Sequence, residues 1–397
     1  MSVTRWLGFL GVVSVISGLV HYYVWLRLFK QPHWSEETTK IAGWFCVAMA
    51  LSVPLGPAFM RIFPNRLGTL LTNMVFGWMG LIFIMFAGLV FSELVRLVCS
   101  GWLSRRISDL EEPSRRTFLA RGIAKAVIMA GIPVSGYALW EGLRPVRYKA
   151  LNIQLDRCAE ALSGFSIVQL TDIHIGPMLG KNFLEQLVDK INKIKPDIVA
   201  ITGDMVDGSV SELGATIAIL KQLKPRYGVF FVTGNHEYYS GAAEWVTYID
   251  SLGIKVLRNE RVRITHNGAA LDIAGIDDWS AHEFAAGHKA DLPKAMAGRD
   301  PNIPVVLLAH QPRAVIEAAK LGVDLQLSGH THGGQIFPFN FLVHLQQPYV
   351  SGWHRHGSTQ IYVSNGTGFW GPPMRLGIPA ELTHITLFPK SLDLDKT

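Results

Sequence analysis

Hydrophobic and polar positions follow different rhythms in the two parts of the chain. Over the first 150 residues the apolar positions run together. Residues 6–28, 41–60 and 67–98 form three nearly continuous apolar stretches, each at or above the ~20 residues that cross a bilayer. A fourth stretch, 123–140, is shorter and carries Gly131, Pro133 and Gly136. Three long runs in succession argue against buried helices of a soluble domain. Among Trp6, Trp25, Trp34, Trp44, Trp78 and Trp102 several stand near run ends, where interfacial aromatic residues collect. Residues 1–140 are therefore expected to form a membrane module of three to four transmembrane helices, and 141–162 a linker.

From Phe165 onward short β-rich runs alternate with amphipathic ones. Strands are expected at 166–170, 197–201, 228–232, 271–274, 305–309, 325–327, 361–363 and 383–387. Helices are expected at 181–194, 210–223, 242–252 and 313–320. In the first of these helices Phe183, Leu184, Leu187, Val188, Ile191 and Ile194 recur at helical spacing. The opening βαβαβ order predicts a layered α/β domain over 163–397, with room for a second sheet packed on the first.

Charge sharpens this division. The chain has 397 residues, 37 Lys+Arg and 31 Asp+Glu, and its mean hydropathy is +0.24. Residues 1–150 hold 16 of the basic and 7 of the acidic residues, a net of +9, which leaves −3 for the rest. The basic balance thus belongs to the apolar part, and a nucleic-acid partner is not expected for the remainder. Cys158 is the one cysteine after Cys46 and Cys99. That excludes an internal disulfide and a Cys-x-x-Cys zinc site in the second part.

The loop between the third and fourth runs, with the first residues of the fourth, holds Arg105, Arg106, Arg115, Arg116, Arg121 and Lys125, so it should be cytoplasmic. Alternation then puts Arg27, Lys30 and Lys40 inside also. The second part is expected outside the cytoplasm, on a bacterial inner or plasma membrane, against the pull of Arg144, Arg147 and Lys149. Ser114-Arg115-Arg116-Thr117-Phe118-Leu119 resembles the twin-arginine export motif. The other reading is a basic cluster anchoring a helix end, and both place the two arginines in the cytoplasm.

Candidate chemistry sits where the strands stop. Asp172 and His174 stand in Thr171-Asp172-Ile173-His174, Asp204 closes Ile201-Thr202-Gly203-Asp204, and Asn235 opens Asn235-His236-Glu237. His310 ends an apolar run, and His330 and His332 flank Thr331 in a glycine-rich loop. Strand ends of an α/β sheet lie along one edge, so residues distant in sequence can converge there. Each cluster alone matches an ordinary turn or core histidine. Together they match the carboxylate, imidazole and amide donors that two close divalent cations need. Mixed N and O donors without thiolate suit Mn, Fe or Zn better than Ca.

The ordered set Asp172-Ile-His174, Gly203-Asp204-Met-Val-Asp207, Gly234-Asn235-His236-Glu237, His310 and Gly329-His330-Thr-His332 resembles the calcineurin-like metallophosphoesterase family. The resemblance spans about residues 165–387. It implies a four-layer α/β/β/α sandwich with a two-metal phosphoesterase centre. It implies that Asp172, His174 and His332 hold one metal, that Asn235, His310 and His330 hold the other, and that Asp204 bridges them. A hydroxide between the metals would attack phosphorus. His236 is expected to act as general acid or phosphate clamp, and Asp207 to orient a ligand histidine.

The membrane module, with Tyr238, Tyr239 and Gly333-Gly334-Gln335, resembles the branch of transmembrane proteins with a metallophosphoesterase domain. Related bacterial members cut phosphodiester or pyrophosphate bonds of lipid-linked sugar nucleotides such as UDP-diacylglucosamine. The expected partners are thus a lipid bilayer and a phosphoester, a lipid-linked one included. The competing readings are a broad phosphomonoesterase or nucleotidase, and a catalytically inert membrane signalling protein. His266, His282, His288, His344, His354, His356 and His384 match no cluster and are expected to be ordinary surface or core residues. Tyr238, Tyr239, Trp279, Phe369 and Trp370 are candidates to line a substrate groove or touch the membrane, with packing the expected role of each.

Overall fold

The structure is a computed structural model that describes residues 3–63, 66–103 and 113–390. It comprises two units: Met1–Leu143 with Gly371–Met374, and Arg144–Trp370 with Arg375–Thr397. In the first, the long helices among the described residues are α1 (Val3–Trp25), α2 (Glu36–Ile62), α3 (Arg66–Leu103) and α4 (Pro113–Leu143). Among the described residues, four stretches are long and apolar enough to cross a membrane: Leu10–Lys30, Glu36–Gly56, Arg66–Cys99 and Arg116–Leu143. The weak fourth run is therefore part of one continuous helix with Pro133 inside it. Arg105 and Arg106 lie outside the described residues.

Several polar groups of this unit are paired, as an apolar setting favours. His21 gives its Nδ1 proton to the carbonyl of Ser17 at 2.8 Å and accepts from Trp78 Nε1 at 2.8 Å. Arg27 forms an ion pair with Glu93. Ser35 opens α2 by accepting the Thr38 N–H.

The second unit is built on two six-stranded sheets. Its elements, in chain order, are β1 (Arg147–Leu155), β2 (Phe165–Leu170), α5 (Lys181–Ile194), β3 (Ile198–Thr202), α6 (Val210–Ile217), β4 (Val229–Val232), α7 (Asn235–Ser240), α8 (Ala242–Ser251), β5 (Lys255–Val256), β6 (Glu260–His266) and β7 (Ala269–Gly275). Then come α9 (Leu292–Met296), β8 (Val305–Leu308), α10 (Val315–Lys320), β9 (Leu325–Ser328), α11 (Asn340–Val343), β10 (Gly352–His356), β11 (Thr359–Val363) and β12 (Glu381–Pro389). The first sheet has the order β1-β12-β2-β3-β4-β5 and the second β10-β11-β9-β8-β7-β6.

Strands β2 to β5 run parallel in the first sheet, as do β7, β8, β9 and β11 in the second. Ile167, Ile198, Ala200 and Val232 of one sheet share a core with Ile273, Val306, Leu308 and Leu327 of the other. The outer face of the first sheet is covered by Leu184, Leu187 and Ile191 of α5 and by Trp245 and Ile249 of α8. The outer face of the second meets Leu292 and Ala295 of α9 and Ala318 of α10. That is an α/β/β/α sandwich. Each large apolar side chain so buried contributes about 1.5–3 kcal/mol.

Strands β1, β5, β6 and β10 were not expected, and one helix is shorter than expected. Residues 147–155, placed in the linker, form β1 and pair in parallel with β12. Only Ile153 and Leu155 of this strand are buried, so no apolar run marks it. The helix expected at 210–223 stops at Ile217 and continues as a tighter 3₁₀ turn over Ala218–Gln222.

Candidate metal centre

Five parallel strands end at one place. The loop after β2 carries Asp172 and His174, the loop after β3 Asp204 and Asp207, and that after β4 Asn235 and His236. The loop after β8 carries His310, and that after β9 carries His330 and His332. The chain turns sharply to deliver these side chains. Asp172, His174, Asp204, His330 and His332 all have left-handed backbones, with φ between 49° and 71°. Such conformations are strained for residues other than glycine and cluster at functional sites. The loops lock to each other through the backbone: Asp172 N–H donates to Gly203 O at 3.0 Å and His174 N–H to Asp204 O at 3.2 Å.

Two glycines make the close approach possible. Gly203 has φ 86°, and a Cβ there would lie 2.7 Å from His310 Nδ1. A Cβ on Gly234 would strike the Asp204 carboxylate and amide.

The side chains gather in overlapping groups. Asp172, His174 and His332 bring donor atoms within 4.8 Å of one another, as do Asp204, His310 and His330, and also His174, Asp207 and His236. Asn235 joins the second group, its Oδ1 lying 3.2 Å from His310 Nε2. All nine expected residues therefore meet in one site, and all but Asp207, His236 and His330 are buried.

The hydrogen bonds assign the protons. The carbonyl of Thr202 can only accept, so His310 donates from Nδ1 to it at 2.8 Å, which leaves its Nε2 lone pair facing inward. Around that Nε2 lie Asp204 Oδ2 at 3.1 Å, Asn235 Oδ1 at 3.2 Å and His330 Nδ1 at 3.2 Å. Asp204 Oδ2 and Asn235 Oδ1 can only accept here, while His330 Nδ1 donates or accepts according to its tautomer. Asp207 plays the matching part on the other side. Its carboxylate accepts from His174 Nδ1 at 3.1 and 3.2 Å and from His236 Nδ1 at 2.6 Å. Both imidazoles are thereby held with Nε2 toward Asp204 Oδ2, each at 4.0 Å.

The titrations follow from this crowding. Burial opposes charge on Asp204, yet His310 and His236 hold its carboxyl well below the usual range. Asp207 is likewise depressed despite burial, by His174 and His236. Burial would lower His236, but Asp204 and Asp207 raise it to about 9. Burial, with His310 adding, takes His330 down to about 3. Burial, His174 and Arg375 hold His332 well below its ordinary value. Burial also raises Asp172.

Several supporting residues escaped the sequence reading. Glu237 accepts from Gly234 N at 2.7 Å, Asp204 N at 3.0 Å and Met205 N at 2.7 Å, tying the loops after β3 and β4 together. Its place in Gly234-Asn235-His236-Glu237 was the available signal. Asp278 follows β7, and burial raises its carboxyl to about 6 while Gln311 Nε2 donates to it at 3.1 Å. The strand-end rule applied to β7 would have found it. Fully buried Arg375 donates to Gly368 O at 2.5 Å, Ile378 O at 3.2 Å and His332 O at 3.4 Å. No motif marks it.

Tyr239 and Trp370, each about half exposed, place their rings 5.1 and 5.5 Å from that of His236. The histidines outside the clusters stay outside the site. His266, for example, is buried beside Tyr227 and Phe165.

Comparison with known proteins extends the picture along the whole chain. The family model described as calcineurin-like phosphoesterase matches residues 165–334. A Danio rerio protein described as a transmembrane protein with metallophosphoesterase domain is 32% identical over 395 residues, covering 96% of this chain and 89% of that one. Its Bos taurus counterpart is 37% identical, over 72% of this chain and 66% of its own length. An uncharacterized metallophosphoesterase of Helicobacter pylori (strain J99) is 37% identical over 70% and 74%.

Among solved structures, a dimetal phosphatase from Danio rerio shares 12% identity, with a TM-score of 0.37 over 57% of this chain and 93% of that one. A putative 5'-nucleotidase from Staphylococcus aureus shares 14%, with a TM-score of 0.38 over 59% and 56%. The match reaches from the apolar helices through every strand end of the site, and the chain belongs to the calcineurin-like metallophosphoesterase family.

Proposed function

We propose that this protein is a multi-pass membrane enzyme that hydrolyses phosphodiester or pyrophosphate bonds with two divalent cations, lipid-linked esters among its substrates. In this reading Asp172, His174 and His332 hold one cation, Asn235, His310 and His330 hold the other, and Asp204 serves both. The observation that carries it is the position of Asp204 Oδ2, 3.1 Å from His310 Nε2 and 4.0 Å from His174 Nε2, between the two donor groups.

The donor set fits such ions. The donor atoms of His310, Asp204 and Asn235 crowd one point, and despite burial Asp204 raises His310 well above its ordinary value, so without an ion the cluster draws in a proton as its positive charge. Imidazole and carboxylate together suit Mn, Fe or Zn. When bound, two such ions supply charge for the phosphoryl oxygens and lower the pKa of a water.

The remaining work falls to the chain. Asp207 orients His174 and His236 together and fixes the proton of each on Nδ1. His236, protonated below about 9, offers its Nε2 proton to the leaving alkoxide and takes no part in ligation. Positive charge added beside Asp204 would weaken the support for that proton and bring the value toward neutrality, where acid catalysis is efficient. Tyr239 and Trp370 flank His236 and give the leaving group an aromatic rim.

The count of basic residues supports a catalytic unit on the outer face of a bacterial inner or plasma membrane. A reporter fused after Thr397 that works only outside the cytoplasm tests this, and silence there refutes it.

The activity is tested by assaying the purified full chain with Mn against a phosphodiester, a phosphomonoester and a lipid pyrophosphate. Turnover of the diester or pyrophosphate, abolished by Asp204→Ala, is expected. Full activity in that variant, or turnover of the monoester alone, overturns the reading.

A further inference from the structure

Beside the candidate centre the catalytic unit exposes apolar side chains that nothing above uses. Five residues beyond His332 the chain enters a short apolar segment. Phe337, Phe341 and Leu345 recur every four residues, with Leu342 next to them, and they are 51%, 62%, 84% and 56% exposed. The rings of Phe337 and Phe341 lie 5.8 Å apart. Helix α11 and the turn bonds Leu345 N to Leu342 O and Gln346 N to Val343 O place Phe341, Leu342 and Leu345 on adjoining helical turns, and Phe337, ahead of the helix, joins them through its ring contact with Phe341. Residues four apart share a face. Residues 325–354 contain no Asp, Glu, Lys or Arg, so burying this stripe in hydrocarbon strips water from no side chain that carries a fixed charge.

The stripe is coupled to the site. Ile336, just before it, is buried and bridged to Leu376. Gln335 clamps the backbone of Trp370 from both sides, donating to its carbonyl at 2.9 Å and accepting from its N–H at 3.0 Å. The Trp370 ring then reaches His236. A chain of contacts thus runs from the stripe through Gln335 and Trp370 to the residue assigned as proton donor.

What covers such a face is indicated by the rest of the chain. Residues 144–146 alone join α4, which ends at Leu143, to β1, which begins at Arg147. A unit tethered so closely to helices of membrane-crossing length meets a bilayer at high effective concentration. An exposed apolar patch with aromatic residues at its rim is the surface that partitions into one.

We propose that the Phe337–Phe341–Leu342–Leu345 stripe is an interfacial anchor that enters the acyl region of the bilayer and sets the mouth of the candidate centre at the headgroup level. It selects phosphoesters whose apolar part stays in the membrane. The inference rests on the reading that α1 to α4 are embedded in lipid, and the experiment separates the two.

The full chain, with Cys46, Cys99 and Cys158 replaced by alanine, is reconstituted into phosphatidylcholine and phosphatidylglycerol vesicles containing doxyl-labelled lipid. A nitrobenzoxadiazole probe is attached at Leu345→Cys or Phe341→Cys on the stripe, at Leu19→Cys near the middle of the Leu10–Lys30 stretch, or at exposed Lys193→Cys on α5. The stripe and α1 probes are expected to be blue-shifted and to lose about half their emission to the quencher, while the α5 probe stays at its value in water. Quenching at Leu19 with none at either stripe position overturns the anchor and leaves the membrane reading intact. A blue shift on the stripe without quenching means that a protein surface, such as a second copy of this chain, covers it, and also overturns the anchor. Absence of quenching at Leu19 as well removes the membrane reading and the anchor with it.

Discussion

Replacing Asp207 by asparagine tests how the two histidines are held. Asp207 accepts from His174 and His236 at once, at 3.1 and 2.6 Å to the same Oδ1. Asparagine has nearly the same shape but one accepting oxygen, no charge and an amide nitrogen that can only donate. Each hydrogen bond to a charged group is worth about 1.5–3 kcal/mol, against about 0.5–1.5 for a neutral one. Two such bonds weaken, one of them to the point of repulsion, so the orienting energy falls by on the order of 2–3 kcal/mol.

Two consequences follow. His174 loses the partner that fixes its proton on Nδ1, and the affinity for Mn should fall about 10- to 100-fold, as it does when such outer partners of ligand histidines are removed. His236 loses the carboxylate nearest to its ring, so hydrolysis of esters with poor leaving groups should fall further than metal affinity alone explains. The first is read by calorimetric titration of metal-free protein with Mn. The second is read by turnover at saturating Mn on an alkyl ester compared with a p-nitrophenyl ester, whose leaving group needs no proton. An Asp207→Asn variant that binds Mn as the parent does and turns over both esters within about twofold would refute this account.

Three further outcomes are expected. In Gly234→Ala the new methyl meets the Asp204 carboxylate and amide; a stability loss of about 1–3 kcal/mol and the disappearance of the Mn-induced rise in Tm are expected, and a retained rise would sink the reasoning. In Glu237→Gln the amide nitrogen points at N–H groups that now donate to a carboxylate, and denaturant unfolding should show a loss of about 1–3 kcal/mol; parental stability would count against the role of Glu237 as the tie between loops.

The third outcome concerns pH in the metal-free protein. There the folded pKa of His236, about 9, lies above its ordinary value of about 6.5. Its contribution, on the order of 3 kcal/mol, is complete below about 6.5 and is lost as pH rises through about 9. Tm in chelator should therefore decline over that window, and less steeply in His236→Asn. Parallel profiles for parent and variant would contradict the assignment.

Much of the fold was legible for a physical reason that also explains the omissions. The eight expected strands are β2, β3, β4, β7, β8, β9, β11 and β12, all with neighbours on both sides. Most of them are buried on both faces, and burial on both faces writes a continuous apolar run. The strands without such a signal are β1, β5, β6 and β10, which are the four edges. An edge strand keeps polar and charged positions, as in Arg147, Lys149 and Arg355, so it reads as a loop. Arg375 was invisible for a related reason: it is held mainly by backbone carbonyls, which no residue type announces.

The sequence by itself determined the division of the chain into an apolar helical part and an α/β part, because runs and alternations of hydrophobic residues are local quantities. It also determined the donor types, since the clusters around Asp172, Asp204, Asn235, His310 and His330 can be read in place. Tertiary structure decided which donors face one another. That depends on the order of parallel strands in two sheets, which sets neighbours between residues more than a hundred positions apart, such as His310 and the carbonyl of Thr202. It also decided that Asp207 serves two histidines, and that the apolar residues after His332 stay exposed although their composition matches a core.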